Sequence, residues 1–419
     1  MLKKKYIPRE LEKTFHSFLK RREAIAIIGP RQSGKTTFLE NLEKKIAKKQ
    51  RVKFITFENK GDLNLFQKNI EDFKKIAEQY DVLIIDEFQY AKEGGQKIKY
   101  LFDTTKTKFI VSGSSSLELT FQTGKYMVGR ILDFSLNPFS FREFLSVRNK
   151  EIFKLIDRKE FLDPIEFKMK NGFGEEINKR LSSLVSEYLL YGGYPAVVLS
   201  KNEIEKQKVL GSIEEKYILK DIKSLLSLTT EDELQRLEKF LAGQIGGMIN
   251  FEELCNVSGL SYKEVKKHLQ ILEKTYIISL CKPFFTNRRT ELVKNPKVYF
   301  VDSGIRNYSL VDFRKPDERN DLGLMAENHA YNTLRNLYPQ APIKYWRTKS
   351  KAEVDFVIEK NQNIFPVEVK YVSKKTIGKS FYSFIEKFNP PVGIILTKDF
   401  LGEDKIKNTE VKFIPLSYF

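Results

Sequence analysis

One stretch near the N-terminus combines the residue types that bind a phosphate group. An apolar run over residues 25–28 ends at Gly29, and a helical pattern begins near Gly34. Glycines let successive backbone N–H groups converge on an anion, and a helix N-terminus adds partial positive charge. Lys35 can reach the β- and γ-phosphates of ATP, and the Thr36 hydroxyl is placed to bind Mg²⁺. The residues of this predicted phosphate-binding loop (P-loop) expected to bind ATP are Gly29, Pro30, Arg31, Gln32, Ser33, Gly34, Lys35, Thr36 and Thr37.

Two adjacent carboxylates follow a second apolar run, residues 82–85. Asp86 would hold Mg²⁺ through water, and Glu87 would orient or deprotonate the water that attacks the γ-phosphate. Paired acids at a strand end can also be solvated turn residues. The P-loop upstream favours the catalytic interpretation.

Two further positions could act on the same phosphate. Ser112 and Ser114 follow the apolar run 108–111, and a polar group at the end of a neighbouring strand can sense the γ-phosphate. Ser112 is the expected nucleotide ligand, with a helix-capping serine as the alternative. Arg130 is a candidate arginine finger, acting within the chain or from a neighbouring subunit of a homo-oligomer. A structural salt bridge is the alternative for Arg130.

These motifs stand in an order that carries a resemblance. The successive segments are GPRQSGKTT, VLIIDEFQ, SGSSS, GRILDFSLNPFSFREF and YGGYPAVV. The series resembles the fused AAA-type ATPases of bacteria and archaea, in which a small P-loop domain precedes a C-terminal region long labelled as of unknown function. The resemblance implies an AAA+ core in which Lys35, Thr36, Asp86 and Glu87 take the roles described above. It implies no particular substrate.

A second set of polar residues lies on two alternating segments near the C-terminus. The segments cover residues 352–358 and 365–370, and Asn361, Gln362 and Asn363 separate them. A two-residue turn at Asn361 and Gln362 would join them as an antiparallel hairpin. The residue numbers of paired positions would then sum to 723.

This register predicts a cluster of charged side chains. Asp355 would lie opposite Glu368, and Glu353 opposite Lys370, all on one face because alternate strand residues share a face. Directly opposed Cβ atoms are about 5 Å apart. Two carboxylates at that separation repel each other, and one divalent ion bound by their oxygens would remove the conflict.

The hairpin with its upstream helical acid resembles the PD-(D/E)xK nuclease superfamily, which includes Holliday-junction resolvases and restriction endonucleases. The resemblance implies Mg²⁺ bound by Glu327, Asp355 and Glu368. It also implies that Lys370 polarises the attacking water or stabilises the charge of the transition state. The chain departs from the family name at Val354, which stands where a proline is named. Surface Glu–Lys pairs across two strands would give the same pattern.

Residues 236–310 predict a helix-turn-helix followed by a hairpin, the order of a winged helix. A first helix fits residues 250–258, Ser261 would cap a second, and strands fit 276–280 and 297–301. The basic residues expected to face DNA are Lys263, Lys266, Lys267 and His268 on the second helix, and Arg288 and Arg289 in the wing. Docking of a protein partner is the alternative use of this module.

The elements that must position these residues make the chain an α/β protein of several domains, because 419 residues exceed one ordinary core. The expected divisions are a P-loop AAA+ parallel-sheet domain over 1–145 and a helical connector over 146–235. A winged helix over 236–315 and a PD-(D/E)xK nuclease-like α/β domain over 316–419 would follow. A basic helix, Arg9 to Arg22, would pack beside the first strand, with Arg9 contacting nucleotide or lying solvated on the surface.

Composition restricts the partners. The formal net charge of +18 favours a polyanion such as DNA. No apolar run approaches the roughly 18 residues that cross a bilayer, and no signal-peptide pattern opens the chain, so we expect a cytoplasmic protein without a membrane partner. Cys255 and Cys281 are the only cysteines and favour core packing over a disulfide.

Three functional hypotheses fit these observations. In the first, ATP binding and hydrolysis control a Mg²⁺-dependent DNA nuclease. In the second, the protein is a nucleotide-dependent interaction switch whose C-terminal fold is catalytically silent. In the third, it is a DNA-binding regulator in which ATP controls the winged helix alone.

Overall fold

A computed structural model describes residues 6–114, 127–158, 163–169, 172–226, 231–285 and 294–419, with the backbone alone at 216–226 and 231. The chain forms two compact units, each described by itself. Unit 1 comprises Met1–Phe139, Glu215–Ser227 and Lys274–Tyr276, and unit 2 comprises Ser140–Glu214, Leu228–Glu273 and Ile277–Phe419. The finer division into four domains stays a prediction.

Unit 1 is built on a five-stranded parallel sheet. Its strands are β1 (Ala24–Ile28), β2 (Val52–Thr56), β3 (Val82–Asp86), β4 (Lys108–Gly113) and β5 (Ile131–Ser135), in the spatial order β2-β3-β4-β1-β5. Strands β1, β3 and β4 are buried along their whole length, as expected of a parallel sheet covered on both faces. The predicted N-terminal parallel-sheet fold is confirmed.

Helices cover both faces of this sheet. They are α1 (Leu11–Phe18), α2 (Lys35–Ile46), α3 (Lys60–Lys68), α4 (Ile70–Ala77) and α5 (Gly94–Thr104). Side chains alternate along β1, so Ala26 joins the core cluster that includes residues of α3, α4 and α5, while Ile27 joins the cluster beneath α1 and α2. Helices α3 and α4 are separate, because Asn69 ends α3 and its side chain accepts the Asp72 N–H at the start of α4.

Helices make up the first part of unit 2. They are α6 (Phe141–Arg148), α7 (Lys150–Arg158), α8 (Glu175–Tyr191), α9 (Pro195–Val198), α10 (Glu203–Leu226) and α11 (Glu231–Gly243), of which α10 belongs to unit 2 only as far as Glu214. Ser140 begins α6 with a reciprocal capping box to Glu143. Helix α8 ends at Tyr191 and Pro195 opens α9, so residues 192–194 connect the two helices.

The expected pair of helices and pair of strands follow. They are α12 (Phe251–Ser258), α13 (Tyr262–Lys274), β6 (Ile278–Cys281) and β7 (Lys297–Phe300), with β6 and β7 antiparallel. Gly259 closes α12 in the left-handed conformation. The expected exposure of His268 is wrong: it lies three residues after Val265, on the buried face of α13, and its ring contacts the Glu264 carbonyl at 2.7 Å.

The C-terminal part of unit 2 is a six-stranded mixed sheet with the order β12-β13-β11-β10-β9-β8. Its elements are α14 (Ser303–Ser309), α15 (Leu322–Leu337), β8 (Ile343–Arg347), β9 (Glu353–Lys360), β10 (Asn363–Lys370), α16 (Lys379–Phe388), β11 (Val392–Thr397), β12 (Gly402–Ile406) and β13 (Thr409–Pro415). Helix α16 packs against β9 and β10 through an aromatic core that includes Phe381 and Phe384.

The predicted turn between β9 and β10 is confirmed. Asn361 and Gln362 both have positive φ, 51° and 63°, as a two-residue type I′ turn requires. The pairing follows the predicted register from Asn363–Lys360 to Val367–Phe356. No helix in the described ranges is long and apolar enough to cross a membrane.

Candidate functional site

The strand order of unit 1 brings the predicted nucleotide residues to one edge of the sheet. All five strands are parallel, so their carboxyl ends lie together. Strand β4 lies between β1 and β3, which puts Ser112, opposite Ile27, next to the end of the strand that carries Asp86. This edge, beyond the carboxyl ends of the strands, is where open α/β sheets bind ligands.

The backbone of the P-loop depends on its glycines. Gly29 has φ 155°, and a Cβ there would overlap the carbonyl oxygen of Leu136, whose N–H donates to the Ile28 carbonyl at 2.7 Å. Gly34 has φ 96° and directly precedes α2. Only glycine adopts such conformations without strain, so the loop can turn its N–H groups toward a phosphate.

Three polar side chains converge beside the loop. The Thr36 hydroxyl donates to one carboxylate oxygen of Asp86 at 2.6 Å, and the Ser112 hydroxyl donates to the other. Lys35 is buried and its Nζ donates to the carbonyls of Gly29 and Pro30, at 2.9 Å and 2.7 Å. The Thr36 and Asp86 oxygens are hard donors side by side, which fits the Mg²⁺ expected there.

Glu87 stands next to this group in an unusual backbone conformation. Its φ is 54°, a left-handed geometry that costs a residue with a side chain about 1 kcal/mol or more. Gln89 donates to its carboxylate. Burial raises the pKa of Glu87, the Gln89 hydrogen bond lowers it, and the charge of Asp86 raises it further. A raised carboxyl pKa suits a group that must take a proton from water.

Arg9 supports the loop, a role that the sequence did not indicate. Its side chain is buried, with Nη1 donating to the Ser33 carbonyl at 2.8 Å and Nη2 to the Asn137 carbonyl at 2.6 Å. The guanidinium also lies 4.9 Å from the Phe139 ring centre. The expected solvated surface position of Arg9 is wrong, because its side chain is buried, and direct contact with nucleotide stays a prediction. No local signal could have found the supporting role, because Asn137 is far away in sequence.

Arg130 lies at the other end of the sheet. Its carbonyl accepts the N–H of Ala24, the first residue of β1, whereas the P-loop follows the last residue. Five strand residues span about 16 Å. The side chain forms an ion pair with Asp103 at 2.9 Å. Arg130 therefore does not reach the P-loop of its own chain, and only a role from a neighbouring subunit remains a prediction.

The C-terminal cluster gathers at the ends of β9 and β10. The Val369 N–H donates to Asp355 at 2.8 Å, just beyond the last regular backbone pair of the two strands. Lys370 pairs with Glu368 Oε1 at 2.7 Å, while Oε2 of Glu368 is buried without a hydrogen-bond partner. Burial raises the pKa of Asp355 to about 7, helped by the charge of Glu327. Burial and the charge of Asp355 raise the pKa of Glu368.

Glu327, the acid that α15 contributes to this cluster, forms an ion pair with Lys297. Glu327 Oε1 accepts from Tyr299 at 2.6 Å and lies 3.2 Å from Nζ of Lys297. Lys297 also lies 2.6 Å from Glu353, whose other oxygen accepts from Arg347 at 2.7 Å. The ion-pair partners of Glu353 are therefore Lys297 of β7 and Arg347 of β8, whereas its predicted place opposite Lys370 lies beyond the paired positions and stays a prediction.

The donor set fits a cation only in part. Burial and the charge of Asp355 raise the pKa of Glu368, and Glu368 has an unused buried oxygen, so this pair suits a divalent ion. Oε1 of Glu327, the third acid of the predicted set, is held by Lys297 and Tyr299. In the part of the chain that the structure describes, no group of three or more His, Cys, Asp and Glu side chains could hold a metal ion.

The residues expected to face DNA divide into two groups. Lys263, Lys266 and Lys267 are exposed on α13, as predicted. The ammonium of Lys266 lies 4.4 Å from the Tyr262 ring centre. Arg288 and Arg289 lie outside the described residues.

Comparison with protein families identifies the N-terminal region. Residues 21–145 match the model of an AAA domain, which confirms the AAA part of the predicted architecture. Residues 182–316 match a domain of unknown function, DUF8612, and residues 322–419 match another, DUF4143. The expected C-terminal region of unknown function is therefore present. A winged helix and a nuclease remain predictions for these two segments.

Similar proteins carry no stated activity. A Haemophilus influenzae protein named "Uncharacterized protein" is 25% identical over 82% of this chain and 82% of its own length. The uncharacterized protein MJ1544 of Methanocaldococcus jannaschii is 25% identical over 79% of this chain and 71% of its own. Among solved structures, AMPPCP-bound DnaA from Aquifex aeolicus has a TM-score of 0.30 at 15% identity, covering 64% of this chain and 90% of DnaA.

Proposed function

We propose that the chain binds ATP with Mg²⁺ and hydrolyses it in unit 1. The observation that supports this most is the hydrogen-bonded group of Thr36, Asp86 and Ser112 beside a buried Lys35. A nucleoside triphosphate with Mg²⁺ is bound by an ammonium at its phosphates and by hydroxyl and carboxylate oxygens at the metal ion. These three groups converge here at the carboxyl edge of the sheet.

Each residue has a distinct task in the proposed reaction. Lys35 would leave the carbonyls of Gly29 and Pro30 and neutralise the β- and γ-phosphates. Thr36 and Asp86 would hold Mg²⁺, which supplies charge neutralisation when bound. Glu87 would accept a proton from the attacking water, and the Ser112 hydroxyl would orient the Asp86 carboxylate.

Phosphate release by purified variants tests this site. Glu87→Gln keeps the shape of the side chain and removes the base, so hydrolysis should fall by about 100-fold or more while ATP affinity is retained. Lys35→Ala should weaken ATP binding and remove hydrolysis. Full hydrolysis by Lys35→Ala would contradict the assignment of the P-loop.

Arg130 would act only between subunits of a homo-oligomer. Its distance from its own P-loop excludes action within the chain, and its pairing with Asp103 is partly exposed to solvent. A mixture of inactive Lys35→Ala and Arg130→Ala proteins distinguishes the two roles. Recovered hydrolysis would support a shared site, whereas no recovery would leave Arg130 as a structural ion pair.

We further propose that residues 316–419 form a Mg²⁺-dependent DNA nuclease-like domain, coupled to ATP through a winged helix in 236–315. The pair Asp355 and Glu368, with its unused buried oxygen and adjacent Lys370, supports this. Asp355 and Glu368 would hold the ion, with Glu327 as a third ligand if its lysine partner moves. Lys370 would steer or stabilise the attacking water.

Incubation of the full chain with branched, single-stranded and double-stranded DNA plus Mg²⁺ or Mn²⁺ tests the second site. We expect cleavage that Asp355→Asn removes and Glu359→Gln, at an acid elsewhere on β9, retains. Cleavage that survives Asp355→Asn would contradict the site. Salt-dependent DNA binding without cleavage would favour the DNA-binding regulator, and loss of both would favour the interaction switch.

A further inference from the structure

The cation nearest the helical acid belongs to the chain itself. Lys297 is the first residue of β7, and its side chain is 3% exposed. Its ammonium lies 3.2 Å from Glu327 and 2.6 Å from Glu353. The ammonium therefore lies between two carboxylates, one from α15 and one from β9.

The Lys297 ammonium contacts Glu327, the acid predicted to be the third ligand of a divalent ion. An ammonium has hydrogen-bond donors and no lone pair, so it cannot bind a metal ion, and its positive charge repels one. Tyr299 donates to the same Glu327 oxygen at 2.6 Å, which keeps that carboxylate turned toward β7. A metal ion at Asp355 and Glu368 must therefore either do without Oε1 of Glu327 or displace the ammonium.

Lys297 also joins two parts of the chain. Its backbone bridges Met248, just before α12, and pairs with Cys281 in β6. Its side chain meets α15 through Glu327 and β9 through Glu353. The ammonium thus connects the helix-turn-helix segment to the carboxylate cluster.

We propose that Lys297 is an internal cation that competes with a divalent metal ion for the C-terminal carboxylates and so sets how tightly that ion is bound. This inference rests on the proposed metal site at Asp355 and Glu368. Removing the ammonium frees Glu327 as a third oxygen ligand and removes a repelling charge. The lysine is therefore a specificity-determining residue for metal binding and not a catalytic one.

Nucleotide-free full-length protein, titrated with Mn²⁺ while free Mn²⁺ is followed by electron paramagnetic resonance, tests the competition. Lys297→Met keeps the length of the side chain without its charge and should bind Mn²⁺ about tenfold or more tightly than the unaltered chain. The Asp355→Asn protein reports any Mn²⁺ held at the P-loop, which is subtracted. Lys344→Met, which breaks the 2.7 Å pair with Glu359 on the same sheet, should leave Mn²⁺ affinity unchanged.

Thermal unfolding gives a second readout that does not depend on activity. In EDTA, Lys297→Met leaves carboxylates unpaired and should lower Tm by about 5 °C or more. Saturating Mn²⁺ should restore more Tm in this variant than in the unaltered chain. The double variant Lys297→Met with Glu327→Gln, in which the ammonium and its partner charge are both neutral, should lose the added Mn²⁺ affinity.

The outcomes separate this inference from the proposed function. Tighter Mn²⁺ binding by Lys297→Met, reversed in the double variant, supports the competition. Equal Mn²⁺ binding at the Asp355 site in both proteins overturns the role of Lys297 and leaves the metal site standing. No Mn²⁺ binding above the Asp355→Asn background in either protein overturns the metal site and the competition together.

Discussion

At the residue scale, burial alone does not separate the side chains that support the site from those proposed to act in it. Lys35 and Asp86 are buried and are proposed to act on ATP. Arg9 is buried too, and its guanidinium donates to the backbone carbonyls of Ser33 and Asn137. Each of its two charge-assisted hydrogen bonds contributes about 1.5–3 kcal/mol to holding those carbonyls. The conformation of the P-loop therefore depends on a residue that need not touch nucleotide.

Replacing Arg9 should weaken nucleotide binding through the shape of the loop. Arg9→Ala releases the carbonyls of Ser33 and Asn137, so we expect ATP affinity to fall about tenfold, or about 1.4 kcal/mol. Calorimetric titration of ATP measures this. Arg22→Ala is the control, because Arg22 also donates to a backbone carbonyl, that of Thr105 at 2.6 Å, at the other end of the sheet. Unchanged ATP affinity in Arg9→Ala would show that the P-loop keeps its conformation without the Arg9 hydrogen bonds.

Close approach of two backbones decides the geometry at the element scale. Strand β5 runs beside β1 and continues to Leu136, which faces Gly29. The loop after β1 can pass there only because Gly29 has no side chain. The same loop carries the residues proposed to bind phosphate, so Gly29 is required both for packing against Leu136 and for the proposed binding.

Gly29→Ala should disrupt unit 1 more than an alanine placed at an open glycine. A methyl group at Gly29 adds overlap with Leu136 to backbone strain, so we expect a loss of about 2–4 kcal/mol in unfolding free energy and of ATP binding. Gly129 has φ 73° with nothing within 4 Å of an added Cβ, so Gly129→Ala should lose only about 1–2 kcal/mol. Urea denaturation measures both, and equal losses would contradict the proposed overlap.

The charge of +18 dominates at the scale of the whole molecule. Such an excess attracts polyanions over distances near the Debye length, about 8 Å at physiological salt. Lys263, Lys266 and Lys267 add to it on the exposed face of α13. His268 adds nothing to that face, because it is buried.

A triple Lys→Gln variant at positions 263, 266 and 267 tests whether α13 contacts DNA. Each DNA phosphate that a lysine no longer neutralises reduces the slope of log affinity against log salt by about 0.9, so the slope should fall by up to about 2.7. Fluorescence anisotropy across a salt series measures it. The control replaces the exposed Lys44, Lys48 and Lys49 of unit 1 with Gln. An equal change in both variants would show that net charge alone drives DNA binding.

Local patterns in the sequence determined the parts that need only neighbouring residues. The P-loop, the carboxylates that end β3, the caps of α12 and α13 and the turn at Asn361–Gln362 follow from spacing, capping and φ preferences within a few positions. The register of β9 and β10 follows from that turn. Such features can be predicted from the sequence because their hydrogen bonds join residues only a few positions apart.

Only the tertiary structure decided which distant groups meet. Arg9 finds Asn137, and Lys297 finds Glu327 and Glu353, through packing that no periodicity encodes. His268 was misassigned because helical spacing gives a direction around an axis but does not say how much of the helix is covered. Ion pairs form between charges that lie close in space. That distance depends on how all the helices and strands pack, so a local sequence pattern does not give it.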